Sequence, residues 1–312
     1  MDYGDLLISI LQAAVRSGTP ILFACVGEIY AERSGILNLG VEGMMLVGAI
    51  AGFYTSFLVQ SPLAGVVAAA MMGALISLIH AYITISLRAD QIVTGLTLTV
   101  FGTGLSGFFG QPMIGQLAPG FASLSVPGLS QIPYIGRILF QQDALVYFSY
   151  LLVPLTWWVM FKTHLGLSIR SVGENPDTAD SLGVRVMATR YGCVVVGGAL
   201  AGIGGAYLSL AYTTMWIEQM TAGRGWIAIA LVIFAGWNPL KAFFGAYLFG
   251  GADALQLRIQ AVGSAVPAHF LMMLPYVLTI GILVVATRES VRRRLGAPAA
   301  LCIPYAREER SR

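Results

Sequence analysis

Apolar stretches about as long as a membrane is thick recur along almost the whole of this chain, at residues 6–30, 36–59, 62–87, 91–110, 144–161, 191–212, 222–236, 241–258 and 268–287. A helix needs about 20 apolar residues to cross the hydrocarbon layer, whereas a barrel strand needs only about ten in alternation. Blocks of this size predict an all-α fold: a polytopic membrane helix bundle of eight to ten transmembrane helices. Composition agrees, since 57% of the residues are hydrophobic and 11% charged, against about 25% charged in soluble domains. Two blocks are irregular. Arg16, Gly18 and Pro20 interrupt the first, which leaves residues 1–17 open to lying along the interface as a separate helix. The seventh is short for a span and suits a half-helix.

Lys and Arg set the orientation, because short cytoplasmic loops are enriched in them. With loop 162–190 inside, Arg33, Arg88, Lys162, Arg170, Arg185, Arg190, Lys241, Arg288, Arg292, Arg293, Arg294, Arg307, Arg310 and Arg312 all fall on the cytoplasmic side, fourteen of the eighteen basic residues. Arg16, Arg137, Arg224 and Arg258 are left outside or embedded. The chain then divides into a transmembrane domain, 1–290, containing the cytoplasmic loop 162–190, and a cytoplasmic basic tail, 291–312. Stretch 111–143 is rich in Pro and Gly and suits an extracytoplasmic loop. The basic residues track membrane edges, so no nucleic-acid partner is expected. Cys25, Cys193 and Cys302 lack paired or metal-type spacing, and no Asn-x-Ser/Thr acceptor occurs. The opening MDYGDLLISI lacks the basic leader of a signal peptide.

Inside loop 162–190 lies a polar segment, GENPDTADSLG, residues 173–183. Asn175 can cap a helix start, Pro176 fits the first helical position, Asp177 and Asp180 sit near the positive end of the dipole, and Gly183 supplies a stop. About two turns of helix carrying only Ala179 and Leu182 as apolar residues are not stable alone. The segment reads either as an ordinary loop or as a handle for a partner.

Asn38 and Glu42 follow a break at Ser34-Gly35, where Glu28, Glu32 and Arg33 also cluster. Ionisable groups at membrane depth are costly unless paired or hydrated, so Asn38 and Glu42 are candidates for a substrate path, while Glu32 and Arg33 read as structural. A second polar set comprises Glu218, Arg224, Trp226, Asn238, Asp253, Gln256 and Arg258. Asp253 and Gln256 share a helix face. Tyr212, Trp216 and Trp226 suit either a planar ligand or, the reading preferred here, an interfacial aromatic belt. His80, His164 and His269 have no metal-ligating neighbour at suitable spacing. Ser61-Pro62-Leu63 and Asn238-Pro239-Leu240 open similar segments, and the charge-derived topology runs 36–110 and 222–287 in opposite senses, as inverted repeats do. Gly102, Gly104 and Gly107 formally fit a dinucleotide fingerprint but lie within an apolar span, and no P-loop, nucleophile elbow, zincin helix or CxxC occurs. The chain is not expected to be an enzyme or to carry a cofactor.

AERSGILNLGVEGMMLVGA (31–49), RSVGENPDTADSLGVRV (170–186), GRGWIAIALVIFAGWNPL (223–240), FGGADALQ (249–256) and LMMLPYVLTI (271–280) together resemble the permease subunits of bacterial ABC importers. The branch is the one related to ribose and branched-chain amino-acid permeases that serves nucleosides with a basic-membrane-protein type receptor. Trp226 departs from it, standing where a smaller aromatic is more usual. The resemblance implies that Gly173, Glu174, Asn175, Pro176, Asp177, Ala179 and Gly183 form a coupling helix docking into an ATP-binding cassette ATPase subunit. It implies a second related permease subunit, an extracytoplasmic substrate-binding protein, ATP hydrolysis on a separate subunit, and a place among the lipids of the bacterial cytoplasmic (inner) membrane. The polar clusters described above make Asn38, Glu42, Trp226, Asp253 and Gln256 the candidate path residues, and the resemblance implies a cargo of nucleosides or related purine- or sugar-containing molecules. The competing readings are an ion-gradient-driven secondary transporter of a small polar solute and a membrane scaffold.

Overall fold

A computed structural model describes residues 3–261, 267, 270, 271, 273–286 and 296–306. His269, Arg288, Arg292, Arg293, Arg294, Arg307, Arg310 and Arg312, and the remaining parts of block 268–287 and tail 291–312, lie outside the described residues. Each of the nine expected blocks carries a helix: α1 (Tyr3–Arg33), α2 (Val41–Val59), α3 (Pro62–Ala81), α4 (Gln91–Gly110), α6 (Ala144–Lys162), α9 (Val186–Tyr207), α10 (Arg224–Ala235), α11 (Pro239–Ala261) and α12 (Leu274–Ala286). Six helices of the described residues are long and apolar enough to cross a membrane, and α10, at 12 residues, is a shorter apolar helix. Short helices α5 (Ile135–Leu139), α7 (His164–Glu174) and α8 (Pro176–Ser181) lie in the connections. In the 111–143 stretch, β1 (Ser123–Ser125) pairs antiparallel with β2 (Gln141–Asp143), Leu124 opposite Gln142.

The first block corrects one expectation. Residues 3–33 form one continuous helix rather than an interfacial piece followed by a span. Pro20 is accommodated within it, as prolines are in membrane helices whose neighbours satisfy the freed backbone. Gly18 does not break the helix either. It admits the backbone of α11, since a Cβ there would stand 2.5 Å from the Ala246 carbonyl oxygen.

Local chemistry sets several helix starts. Asp90, Asp143 and Thr163 accept hydrogen bonds from the amides of Val93, Val146 and Gly166, so α4, α6 and α7 each begin with a satisfied cap.

The packing is that of two interleaved units. α3 lies on α9 and α11 on α1; α2 lies on α9 and α10 on α1; α1 and α9 face each other at the centre. Direction is fixed by cross-contacts. The Arg190 guanidinium near the start of α9 donates to the Ser34 carbonyl just past the end of α1 at 3.2 Å, so these two helices run antiparallel. Helix α10 ends beside Arg33, whereas α2 runs away from it. The pair α1–α2 therefore runs in the opposite sense to the pair α9–α10.

The ends of the bundle differ in charge. Arg33, Arg88, Arg170, Arg185 and Arg190 gather around loop 162–190, while Arg137 pairs with Asp5 at 3.4 Å beside the 111–143 stretch.

Candidate functional site

Two places concentrate polar structure, one at each end of α10. At the basic end, α7 and α8 meet at a corner built by Asn175 and Pro176. The Asn175 side chain accepts from the Thr178 amide at 3.0 Å, and Pro176 fills the first position of α8. Gly183 follows at φ +85°, a conformation that favours glycine, and ends the segment. Glu174, Asn175, Asp177 and Gly183 are exposed and Pro176 is half-buried. Gly173 is buried: a Cβ on it would come within 2.1 Å of the Arg33 carbonyl oxygen, so segment 173–183 touches the end of α1 backbone to backbone. Ala179 and Leu182, the two apolar residues of the segment, do not share a face. Ala179 is 1% exposed and packs with Val172, Val186 and Tyr305, whereas Leu182 is 78% exposed and points away.

Residues 296–306, invisible to any periodicity argument, are strapped across this corner. The Ala300 amide donates to the Gly173 carbonyl at 2.9 Å, the Cys302 amide to the Gly35 carbonyl at 3.2 Å, and the Arg190 guanidinium to the Ile303 carbonyl at 3.4 Å. Tyr305 is buried under α8, with the Arg190 guanidinium 6.0 Å above its ring.

From the same corner a clamp reaches α10. Glu32 accepts from the Trp237 indole nitrogen at 2.6 Å, and Arg33 donates to the Gly236 and Trp237 carbonyls at 3.3 and 3.4 Å. The structural reading of Glu32 and Arg33 thus acquires a partner, the turn that ends α10.

The other end of α10 lies within the bundle. Segment 213–223 turns back from the far end of α9, and α10 starts at Arg224 with no cap of its own. Its amides are answered from another helix. Glu42 Oε1 accepts from the Thr221 hydroxyl at 2.6 Å and the Gly223 amide at 2.8 Å, and Oε2 from the Gly225 amide at 2.6 Å. A carboxylate at a helix N-terminus satisfies orphan donors and the dipole together. Glu42 also opens α2, so the starts of α2 and α10 meet at this carboxylate.

Beside it is a cavity of about 130 Å³. Ile21, Ile227, Phe249 and Pro275 form its apolar wall; Arg224, Asp253, Gln256, Tyr276 and the Ala222 backbone form the polar edge. Arg224 pairs with Asp253 Oδ2 at 2.7 Å, and the Ser17 hydroxyl donates to the same oxygen. The Tyr276 hydroxyl donates to the Ala222 carbonyl at 2.9 Å. Gln256 Oε1 is buried with no hydrogen-bond partner among the described residues.

Of the five expected path residues, Asp253 and Gln256 come together here. Asn38 does not: it is fully buried, its amide bonded to Glu28 at 2.8 Å and its side-chain oxygen to the Gly40 amide at 3.0 Å, and it shapes the turn before α2. Glu42 is consumed by the cap. Trp226 is half-buried against the hydrophobic core and does not line the cavity. Trp216, 2% exposed, packs on Gly110 and is neither belt nor ligand platform. His80 is buried on the Leu37 carbonyl at 3.1 Å, and His164 opens α7. Tyr276, Ser17 and Trp237 were not among the candidates, since each works through a partner far away in sequence.

The family described as branched-chain amino acid transport system / permease component matches residues 9–283. A protein of Haloferax volcanii, provisionally named a glucose ABC transporter permease, is 40% identical over 96% of this chain and 98% of its own length. A nucleoside ABC transporter permease of Lactococcus lactis subsp. cremoris is 38% identical over 89% of this chain and 93% of its own. Among solved structures, an ABC transporter provisionally assigned to the metal-chelate type, in an inward-facing conformation, aligns with TM-score 0.52 and 13% identity over 89% of this chain and 85% of that one. This last likeness concerns the fold alone.

Proposed function

This chain belongs to the branched-chain amino acid transport system / permease component family and is an ABC transporter permease, and from that premise we propose that it forms the path of an importer for nucleosides or related sugar-containing molecules. The relatives named for nucleosides and for glucose support that class, because both solutes present a hydroxylated ring. ATP hydrolysis takes place on a separate cassette subunit, a second related permease completes the path, and an extracytoplasmic binding protein delivers cargo. The chain sits in the cytoplasmic membrane with loop 162–190 of domain 1–290, which carries the handle 173–183, and the tail 291–312 inside.

One observation carries the coupling half of this reading: the exposed α7–α8 corner is joined backbone to backbone to Arg33, and Arg33 with Glu32 grips the end of α10. Closure of two ATPase subunits around ATP would move the corner. Helix α10, about 18 Å long at 1.5 Å per residue, passes that displacement to the cavity at its other end. ATP drives the change only to the extent that nucleotide-bound ATPase prefers one of the two conformations. Glu174, Asn175, Pro176 and Asp177 face the ATPase; Gly173 and Ala179 seat the corner; Gly183 ends it.

Replacing Asn175 by Ala together with Asp177 by Lys tests the assignment. The double variant is expected to insert, fold and bind the receptor, and to lose ATP-driven uptake in proteoliposomes containing the full complex. Normal uptake by that variant would refute the docking role.

A further inference from the structure

We propose that Gln256, with Asp253 beside it, is the residue pair that reads the ring hydroxyls of an uncharged solute in the cavity between α1, α10, α11 and α12, an inference that rests on the permease function above.

The argument is one of charge and of unused acceptors. Two positive features border this cavity, the start of α10 and the Arg224 guanidinium. An open half-helix start of this kind within a membrane bundle would favour an anionic solute. Here both are already answered, the helix start by three bonds to Glu42 and Arg224 by Asp253 at 2.7 Å. Arg224 is held further by the Met220 and Thr221 carbonyls, both at 3.3 Å. No positive charge among the described lining residues lacks a counter-group, so a phosphate or carboxylate gains nothing by entering.

What remains is acceptor capacity. Gln256 Oε1 is buried and unpartnered among the described residues, and among those same residues both bonds to Asp253 fall on Oδ2, so that none of them occupies Oδ1. Buried acceptors are normally satisfied, and an orphan one is costly. A ligand that donates O–H groups from one edge and lays an apolar face on Phe249, Ile227 and Pro275 meets both requirements. Vicinal hydroxyls on a ring have that form. The two side chains lie three residues apart on α11, on one face of the helix.

The test compares paired substrates in paired proteins, so that receptor preference cancels. ATP-driven uptake of adenosine and of 2′,3′-dideoxyadenosine is measured at receptor-saturating concentrations in proteoliposomes carrying the complete transporter, wild-type or Gln256→Leu. Loss of one hydrogen bond lowers adenosine uptake about tenfold, while dideoxyadenosine uptake stays at its wild-type rate. Gln256→Glu retains an acceptor and restores discrimination between the two. An equal loss for both substrates, or no loss for either, overturns the inference and leaves the permease function standing. Absence of adenosine uptake by the wild-type complex sinks the nucleoside assignment instead, and with it the premise used here.

Discussion

A carboxylate inside a membrane bundle is costly unless its charge is answered, and Glu42 is answered three times over, by one hydroxyl and two amides of the α10 start. Its charge matters as much as its shape, because the dipole it opposes is fixed. Glu42→Gln keeps one acceptor and removes the charge, and is expected to destabilise the protein by about 1–2 kcal/mol, read as a lower midpoint of thermal unfolding in detergent. An unchanged midpoint would remove Glu42 from that role. The Arg224–Asp253 pair, with side chains 14% and 17% exposed, makes a different prediction. Asp253→Leu leaves Arg224 without its counter-charge and should cost about 3 kcal/mol, whereas Arg224→Met combined with Asp253→Leu should cost less than that single change. Additive losses in the cycle would mean that the two groups do not depend on each other.

Helix α10 is too short to span and too apolar to stand in water, so both its ends must be held by other elements. One end hangs on Glu42, the other on Glu32 and Arg33. The proposed transmission therefore passes through the Trp237 indole. Trp237→Phe preserves most of the ring's packing but takes the donor from Glu32; the reconstituted complex is expected to hydrolyse ATP at a near-normal rate while uptake per ATP falls about tenfold, the effect of one lost hydrogen bond of about 1.4 kcal/mol. A parallel fall in hydrolysis and uptake would place Trp237 in folding rather than transmission. What sequence made legible at this scale was whatever is local. Nine helical blocks follow from the recurrence of apolar residues, the α7–α8 corner from Asn175 and Pro176, the half-helix from the shortness of block 222–236, and the shared face of Asp253 and Gln256 from their spacing. Glu42 lies 179 residues from Thr221, Ser17 lies 236 from Asp253, and Glu32 lies 205 from Trp237. No periodicity spans such distances, so the cap, the buried pair and the clamp came only with the folded chain. Asn38 and Glu42 stand out in the sequence only as polar groups at depth; the protein groups they bond, Glu28 and Gly40 for Asn38 and the α10 start for Glu42, appear only in the fold.

The bundle as a whole centres on α1 and α9, whose pairs with α2 and α10 run in opposite senses, with α10 and α2 starting at one shared carboxylate and the basic corner closed by residues 296–306. Pumping by such an arrangement requires energy that biases it between two conformations. A gradient-driven transporter would draw that energy from an ion binding with different affinity in the two conformations. Among the described residues no group of His, Cys, Asp and Glu side chains is placed to hold a metal ion, and the cavity's Asp253 is tied to Arg224 and Ser17. In the proposed coupling the bias enters from outside, at the corner that Tyr305 and Ala300 fasten to α7 and α8. Tyr305→Ala removes the ring from beneath Ala179 and slackens that fastening without touching the exposed face. The expected result is an ATPase that still binds the permease, by co-purification, but drives uptake at a small fraction of the wild-type rate. Uptake at the wild-type rate would show that force reaches the bundle without the strap, and loss of co-purification would show instead that the strap shapes the docking surface itself.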